Sequence, residues 1–220
     1  MTAATATAKR TIDVAVSSVA LLLLAPLFAV IAAAIRLESR GPALFRQQRV
    51  GRDFQPFTIL KFRTMRTGVP GPRITAGADP RITRMGRLLR AAKLDELPQL
   101  VNVLRGEMSL VGPRPELPEY VARFRHQYAE LLSVRPGLTD PASLAFSNEA
   151  EELGLAADPA AEYERSILPR KLEASRDYVR NLTVAGDIRL IALTALLIAG
   201  VRLKRPGERG SARVRTGRSV

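Results

Sequence analysis

The longest apolar stretch of the chain runs from Ile12 to Ile35, interrupted only by Asp13, two serines and Pro26. As a straight helix it would span a bilayer core of about 30 Å, and it is longer than the apolar region of a cleavable signal peptide. Three readings fit it: a transmembrane span, a buried core helix, or a re-entrant hairpin that returns to its own side. Pro26 falls near the middle, where it removes a hydrogen bond and favours a bend. Lys9 and Arg10 precede the segment, and Arg36 and Arg40 follow it. Because positive charge stays on the cytoplasmic side, symmetrical flanks suit a segment with both ends there. A proline-kinked span shares the same features. Residues 1–8, small and polar, are expected to be disordered.

Farther on, Phe45–Val50 and Phe54–Met65 read as two short strands around Gly51-Arg52-Asp53, a hairpin. Period-two alternation puts Phe57, Ile59, Lys61 and Arg63 on one face, and Leu60 and Phe62 on the other. Lys61 and Arg63 side by side can hold a diphosphate; they can equally form a solvated face. Val69–Pro80 is rich in glycine and proline and reads as loop. Arg81–Leu94 has helical spacing, burying Ile82, Met85, Leu88, Leu89 and Ala92 and grouping Thr83, Arg87 and Arg90 on another face. A second helix is expected over Glu116–Val134, with Val121, Phe124, Tyr128, Leu131 and Leu132 inward and the single histidine, His126, at the surface. Arg135 to Ser143 forms a fixed loop, either a structural turn or a selectivity element in its Thr139–Ser143 portion. Asp187 is placed to cap a last helix whose apolar run, Leu190–Val201, is too short to span; it lies in the membrane interface or packs on the domain.

The candidate chemistry lies between these elements. Asp95 and Glu96 stand directly before Pro98's helical turn, amid arginines. Pro is tolerated in a first turn, so Asp95 reads as the N-cap of a helix whose stripe is Leu97, Leu100, Val101 and Leu104. A carboxylate there meets the positive end of the helix dipole, which also favours a nearby phosphate. That combination suggests phosphoryl transfer through an aspartyl-phosphate, with a divalent metal suppressing the repulsion. The plainer reading is a surface cap with a solvated neighbour. Arg90 lies five residues before Asp95, and Arg114 is held in the rigid turn Gly112-Pro-Arg-Pro115.

Composition narrows the partners. Lys and Arg number 34 against 21 acids in 220 residues, a net charge of +13, and seven basic residues follow Val201. Such a balance suits nucleic acid, anionic lipid or phosphate-rich substrates. Aromatics at 5%, with no tryptophan, supply a base-stacking surface poorly. The absence of cysteine excludes disulfides, thiolate metal sites and a cysteine nucleophile.

The run LDELPQLVNVLRGEMSLVGPRP at Leu94–Pro115, KFRTM at Lys61–Met65, and their order after an apolar segment resemble the bacterial sugar transferases, the monotopic phosphoglycosyl transferases. The resemblance covers roughly Lys9 to Arg205. It implies an α+β, mostly helical fold: a re-entrant membrane helix-break-helix over residues 9–40, broken at Ala25-Pro26, then a catalytic domain over 41–201 with a small β-hairpin and interfacial helices, and a basic tail over 202–220. It implies transfer of a sugar phosphate from a nucleoside diphosphate sugar, a UDP-sugar, to polyprenol phosphate, through a covalent phospho-aspartate, with Mg2+. Asp95 would be the nucleophile, Glu96 the base or metal-positioning residue, both of them metal ligands, and Lys61, Arg63, Arg90 and Arg114 the substrate-charge compensators. The location implied is the cytoplasmic face of the inner membrane, monotopic in membrane lipid, at the first membrane step of exopolysaccharide, capsule or glycoconjugate synthesis, with no nucleic-acid partner. A membrane-tethered nucleic-acid binder or a non-catalytic envelope-assembly protein are the rivals, and neither explains the acidic pair.

Overall fold

A computed structural model describes residues 2–71, 79–142, 153–156 and 158–198. Part of the Val69–Pro80 loop, Ser143, the acidic run Glu149–Glu152 and the basic tail therefore lie outside the described residues.

Helix α1 spans Ala3–Glu38 and is capped by Thr2, whose side chain accepts from the Thr5 amide. It begins inside the stretch expected to be disordered, because Ala3, Ala4, Ala6 and Ala8 are strong helix formers following a competent cap. It also runs through Pro26 without the break expected at Ala25-Pro26. Packing on both sides of the proline accounts for this. Ala20, Leu21 and Leu24 lie against one apolar cluster of the domain, and Phe28, Ile31, Ala32 and Ile35 against another. The helix thus continues past a residue that costs it a hydrogen bond.

Both ends of α1 are tied to the same folded domain. At the first end, Lys9 donates to the Val111 carbonyl at 2.7 Å and pairs with Asp187. Arg10 donates to the carbonyls of Val103 and Leu104 at 2.6 and 2.8 Å, and Asp13 accepts from the Leu110 amide at 2.9 Å. At the other end, Ile31 and Ile35 are buried against Phe62 and Leu89. Between these anchors the outward face is apolar and exposed, with Val14, Val16, Val19, Leu22, Leu23, Leu27 and Val30 bare. Among the described residues α1 is the one helix long and apolar enough to cross a membrane, and only a narrow face of it is buried. It is therefore no ordinary core helix.

Strands β1 (Leu44–Val50) and β2 (Pro56–Phe62) form the expected antiparallel hairpin, paired from Leu44–Phe62 to Val50–Pro56. The second strand ends three residues before the expected Met65, and this corrects the reading of Arg63. Once the strand stops, Arg63 is buried and turns back on the end of α1. It donates to the carbonyls of Ser39 at 2.8 Å, Arg40 at 3.0 Å and Pro42 at 2.7 Å, and to the Ser39 hydroxyl at 2.8 Å. The guanidinium satisfies carbonyls of the segment that leaves α1, from its cap Ser39 to Pro42, so it is committed to structure and not to a ligand.

Helix α2 (Arg84–Ala91) is capped by Thr83. A Cβ on Gly86 would stand 2.0 Å from the Thr64 carbonyl oxygen, so only glycine lets α2 lie this close to the chain leaving β2. A 3-10 helix (Leu94–Gln99) leads into α3 (Leu100–Arg105). Buried Asn102 joins α3 to β2, accepting from the Leu60 amide at 3.1 Å and donating to the Thr58 carbonyl at 2.8 Å. Short strands β3 (Ser109–Val111) and β4 (Gly137–Thr139) pair in parallel. The helix expected over Glu116–Val134 is two, α4 (Pro118–Arg123) and α5 (Arg125–Leu131), separated at Phe124 where φ is −108° and ψ 31°. Val121, Tyr128, Leu131 and Leu132 are nonetheless buried as expected, Phe124 is partly buried against them, and His126 is exposed. Helix α6 (Pro159–Glu162), a π-helical turn (Tyr163–Ile167) and α7 (Leu168–Arg180) follow. In α8 (Val184–Ile198), Thr183 takes the capping role, accepting from the Gly186 amide at 3.1 Å, and Asp187 is instead buried between Lys9 and Tyr178. Helix α8 packs on the domain beside α1, and leaves Ile188 and Leu196 exposed.

Replacing Arg63 with methionine strands several carbonyls at the end of α1, so a loss of roughly 3 kcal/mol is expected. Thermal unfolding should show a clear fall in midpoint. An unchanged midpoint would mean the guanidinium is not structural.

Candidate active site

The turn after α2 is made by Lys93, whose φ of 56° places it in the left-handed region. The chain then enters the 3-10 helix, so Asp95 and Glu96 sit in its first turn and Asp95 is not the N-cap expected from the sequence. At three residues per turn, neighbouring side chains diverge by about 120°. The two carboxylates consequently meet different surroundings.

Glu96 points at the cations. Its Oε1 accepts from Lys61 Nζ at 2.7 Å and from Arg114 Nη2, and its Oε2 accepts from Arg114 Nη1 at 3.3 Å. Burial pushes the Glu96 carboxyl up, but the charges and hydrogen bonds of Arg114 and Lys61 outweigh it and hold the group well below the usual carboxylate range. Glu96 is a fixed anion.

Asp95 makes no hydrogen bond or ion pair among the described residues. Burial and the neighbouring Glu96 charge raise its carboxyl above the usual range, against the opposing pull of Lys61, Arg90 and Arg114. Arg90 approaches from α2; its Nε donates to Thr64 Oγ1 at 2.9 Å, and Asp95 is the largest favourable charge acting on it. The structure therefore brings Asp95, Glu96, Lys61, Arg90 and Arg114 together and leaves Arg63 out. A half-buried carboxylate with uncommitted oxygens, close to three cations, can take a phosphorus atom while the cations face the phosphate oxygens.

The same residues bear on a metal. Among the described residues there is no group of three or more His, Asp or Glu able to hold an ion. Magnesium needs only one or two carboxylates when substrate phosphates complete its shell, and uncommitted Asp95 beside Glu96 fits that minimum. Glu96 is the poorer ligand of the two, because Lys61 and Arg114 already occupy it.

Three supporting residues were not legible in the sequence. Arg49 on β1 donates to Glu116 Oε1 at 2.9 Å and to the Pro115 carbonyl at 3.3 Å, and Tyr163 donates to Glu116 Oε2 at 2.6 Å. Together they hold the turn that carries Arg114. The π-helical turn beginning at Tyr163 sets that hydroxyl on Glu116. No local spacing signals this, since Arg49, Glu116 and Tyr163 come from distant parts of the chain.

The bacterial sugar transferase family model matches residues 4–200, so the chain belongs to that family. It is 41% identical over 199 residues to a UDP-glucose:undecaprenyl-phosphate glucose-1-phosphate transferase of Caulobacter vibrioides, covering 84% of this chain and 67% of that protein. A transferase of the same description from Escherichia coli K12 is 35% identical, covering 84% of this chain and 39% of its own length. The exopolysaccharide production protein PSS of Rhizobium leguminosarum is 37% identical, covering 83% of this chain and 90% of its own length. The Escherichia coli protein is therefore much longer than the matched part, the chain spanning well under half of it.

Tyr163→Phe removes one hydrogen bond to a buried carboxylate, at an expected cost of about 2 kcal/mol. Hydrogen exchange should quicken over Gly112–Leu117 and stay unchanged in α1 and α2. Unaltered exchange over the turn would show that Tyr163 does not support Arg114.

Proposed function

We propose that this protein transfers a sugar phosphate from a UDP-sugar to polyprenol phosphate, by way of a phospho-aspartate on Asp95. The observation that carries this reading is the asymmetry of the acidic pair: Glu96 is held as an anion by Lys61 and Arg114, while Asp95 keeps its oxygens uncommitted. The relatives' names supply the donor and acceptor classes, UDP-glucose and undecaprenyl phosphate. Another relative is named for N-acetylgalactosamine, so the sugar is left open.

In the first step an Asp95 carboxylate oxygen attacks the phosphorus nearest the sugar. The bond from that phosphorus to the bridging oxygen breaks, and UMP leaves with the bridging oxygen and the electron pair. Lys61, Arg90 and Arg114 face the growing negative charge on the diphosphate. In the second step an oxygen of the polyprenol phosphate attacks the same phosphorus. The bond to Asp95 breaks, the carboxylate is regenerated, and polyprenyl diphospho-sugar departs. Magnesium, held by Asp95 with Glu96 beside it and by the phosphate oxygens, would supply charge neutralisation between carboxylate and diphosphate. Glu96, already engaged, positions Lys61 and Arg114 more than it accepts a proton.

A UDP-sugar reaches this site from the cytoplasm and a polyprenol phosphate from the membrane. The exposed apolar face of α1, continued by Ile188 and Leu196 of α8, suits attachment to the inner membrane. Because Lys9, Arg10 and Asp13 at one end and Ile35 at the other all bind the same domain, both ends of α1 belong on the cytoplasmic side. The product suits the first membrane step of exopolysaccharide or related glycoconjugate synthesis.

Asp95→Asn keeps the shape and removes the nucleophile, so release of UMP from a UDP-sugar should fall by at least 1,000-fold, an order-of-magnitude expectation for loss of a nucleophile. Wild-type-like release by this variant would refute the covalent route. Because the nucleophile must be ionised and its pKa is raised, rate should be lost as pH falls through a value above about 3.9, the ordinary aspartate pKa. Lys61→Met removes a charge that lowers that pKa and should move the acidic limb to higher pH.

Topology has its own check, since the chain has no cysteine. Thr11→Cys and Arg40→Cys should both resist an impermeant thiol reagent in intact cells and both react after lysis. Labelling of one site alone in intact cells would mean that α1 crosses the membrane.

A further inference from the structure

Between the end of α1 and the start of α2 lies an open cavity of about 430 Å³, lined chiefly by Glu38, Arg66, Pro80, Ile82, Arg84 and Arg87. Three arginines and one glutamate line it. That carboxylate is already engaged: Glu38 accepts from the amides of Arg84 at 2.7 Å and Met85 at 3.1 Å, and Thr83 accepts from Gly86 at 2.9 Å. The amides at the head of α2 are thus satisfied within the protein, and whatever the cavity attracts must be held by the arginines. Arg66, Arg84 and Arg87 are exposed, and none makes a salt bridge among the described residues. The one hydrogen bond among their side chains runs from Arg87 Nη1 to the Ile82 carbonyl at 3.3 Å. Clustered guanidiniums of this kind suit a phosphate.

Two further features define the ligand. Leu37, 88% exposed, adjoins Glu38, and Leu88, 66% exposed, adjoins Arg87. The cavity thus has an exposed leucine next in the chain to a lining residue on each of its two helices, at the end of α1 and on α2. The ligand that fits is amphipathic, with a phosphate on an apolar chain. The cavity also adjoins the catalytic cluster. Arg87 precedes Arg90 by three residues on α2, a rise of about 4.5 Å. The Thr64 hydroxyl accepts from Arg90, and Arg66, two residues on, lines the cavity, so one strip of chain reaches both sites.

We propose that Arg66, Arg84 and Arg87 form the docking site for the lipid-borne phosphate monoester of the acceptor, separate from the cations that hold the donor diphosphate. The assignment rests on the transfer reaction proposed above. It gives the acceptor phosphate, whose oxygen attacks the phosphorus carried by Asp95, arginines other than those that hold the donor diphosphate.

The test uses the full chain in phosphatidylcholine nanodiscs, with Arg66→Gln, Arg84→Gln and Arg87→Gln made singly and together. The triple variant should raise the KM for polyprenol phosphate on the order of 10-fold, each single variant less, with the UMP burst before acceptor addition unchanged. A matching fall in the burst would assign these arginines to the donor, and an unchanged KM would remove them from the site; either overturns the proposal. Native mass spectrometry gives a readout without turnover. Wild type should retain polyprenol phosphate and release unphosphorylated polyprenol, and the triple variant should release both. Equal retention by wild type and triple variant refutes the site even if transfer is intact. If wild type shows no UMP burst but does show this selective retention, the reaction fails and the phosphate site stands. A further arm adds phosphatidylglycerol: a loss of vesicle binding that needs this lipid, with KM constant in phosphatidylcholine, would assign the arginines to phospholipid headgroups and overturn the acceptor assignment.

Discussion

Glu96 is clamped from two sides by Lys61 of the hairpin and Arg114 of the Gly112–Pro115 turn, and the chemistry of the site depends on that clamp. Two adjacent carboxylates in a half-buried pocket repel, and one of them would ordinarily take up a proton. Here the cations give one carboxylate a fixed charge and fixed partners. The other is left ionisable and unengaged, close to three positive groups. The clamp also joins three parts of the fold, since β2, the 3-10 helix and the turn after β3 must meet for it to form. Asn102, the close approach at Gly86 and the Arg49–Glu116–Tyr163 trio keep those parts in register.

A second constraint governs where this site operates. Helix α1 lies along the domain and is pinned at both ends, through Lys9, Arg10 and Asp13 at the start and through the Phe62–Leu89 cluster at the finish. Arg63 completes the second attachment by closing off the carbonyls where the helix stops. An apolar helix tied at both ends to one domain holds its exposed face in a set relation to the acidic pair. The arginine-lined cavity lies where the end of that helix meets α2.

Much of this was legible in the chain, and the failures have physical causes. The acidic pair, Lys61, Arg90 and Arg114 stand out because their residue types and spacing are local: a strand face, a helical turn, a proline-locked turn. Arg63 was misplaced because period-two reasoning holds only while a strand continues, and β2 stops one residue earlier, at Phe62. Asp95 was read as a cap because a proline three residues on suits a first helical turn, whereas the left-handed Lys93 starts a 3-10 turn before it. Pro26 predicts a break in an isolated helix; tertiary packing on both sides overrides it. Lys9 and Arg10, read from the sequence as flanking charges, also anchor the helix to the domain. Their partners lie 178 and 93 residues away, so no window of sequence contains both ends.

The central claim is that Asp95 carries the phosphorus between two substrates. Intact-mass measurement of the purified protein mixed with a UDP-sugar and no acceptor tests it most directly. The account predicts a mass increase of one sugar phosphate, located to Asp95 by fragmentation and discharged when polyprenol phosphate is added. An adduct on any other residue, or transfer that proceeds with no adduct at all under rapid quenching, would contradict it.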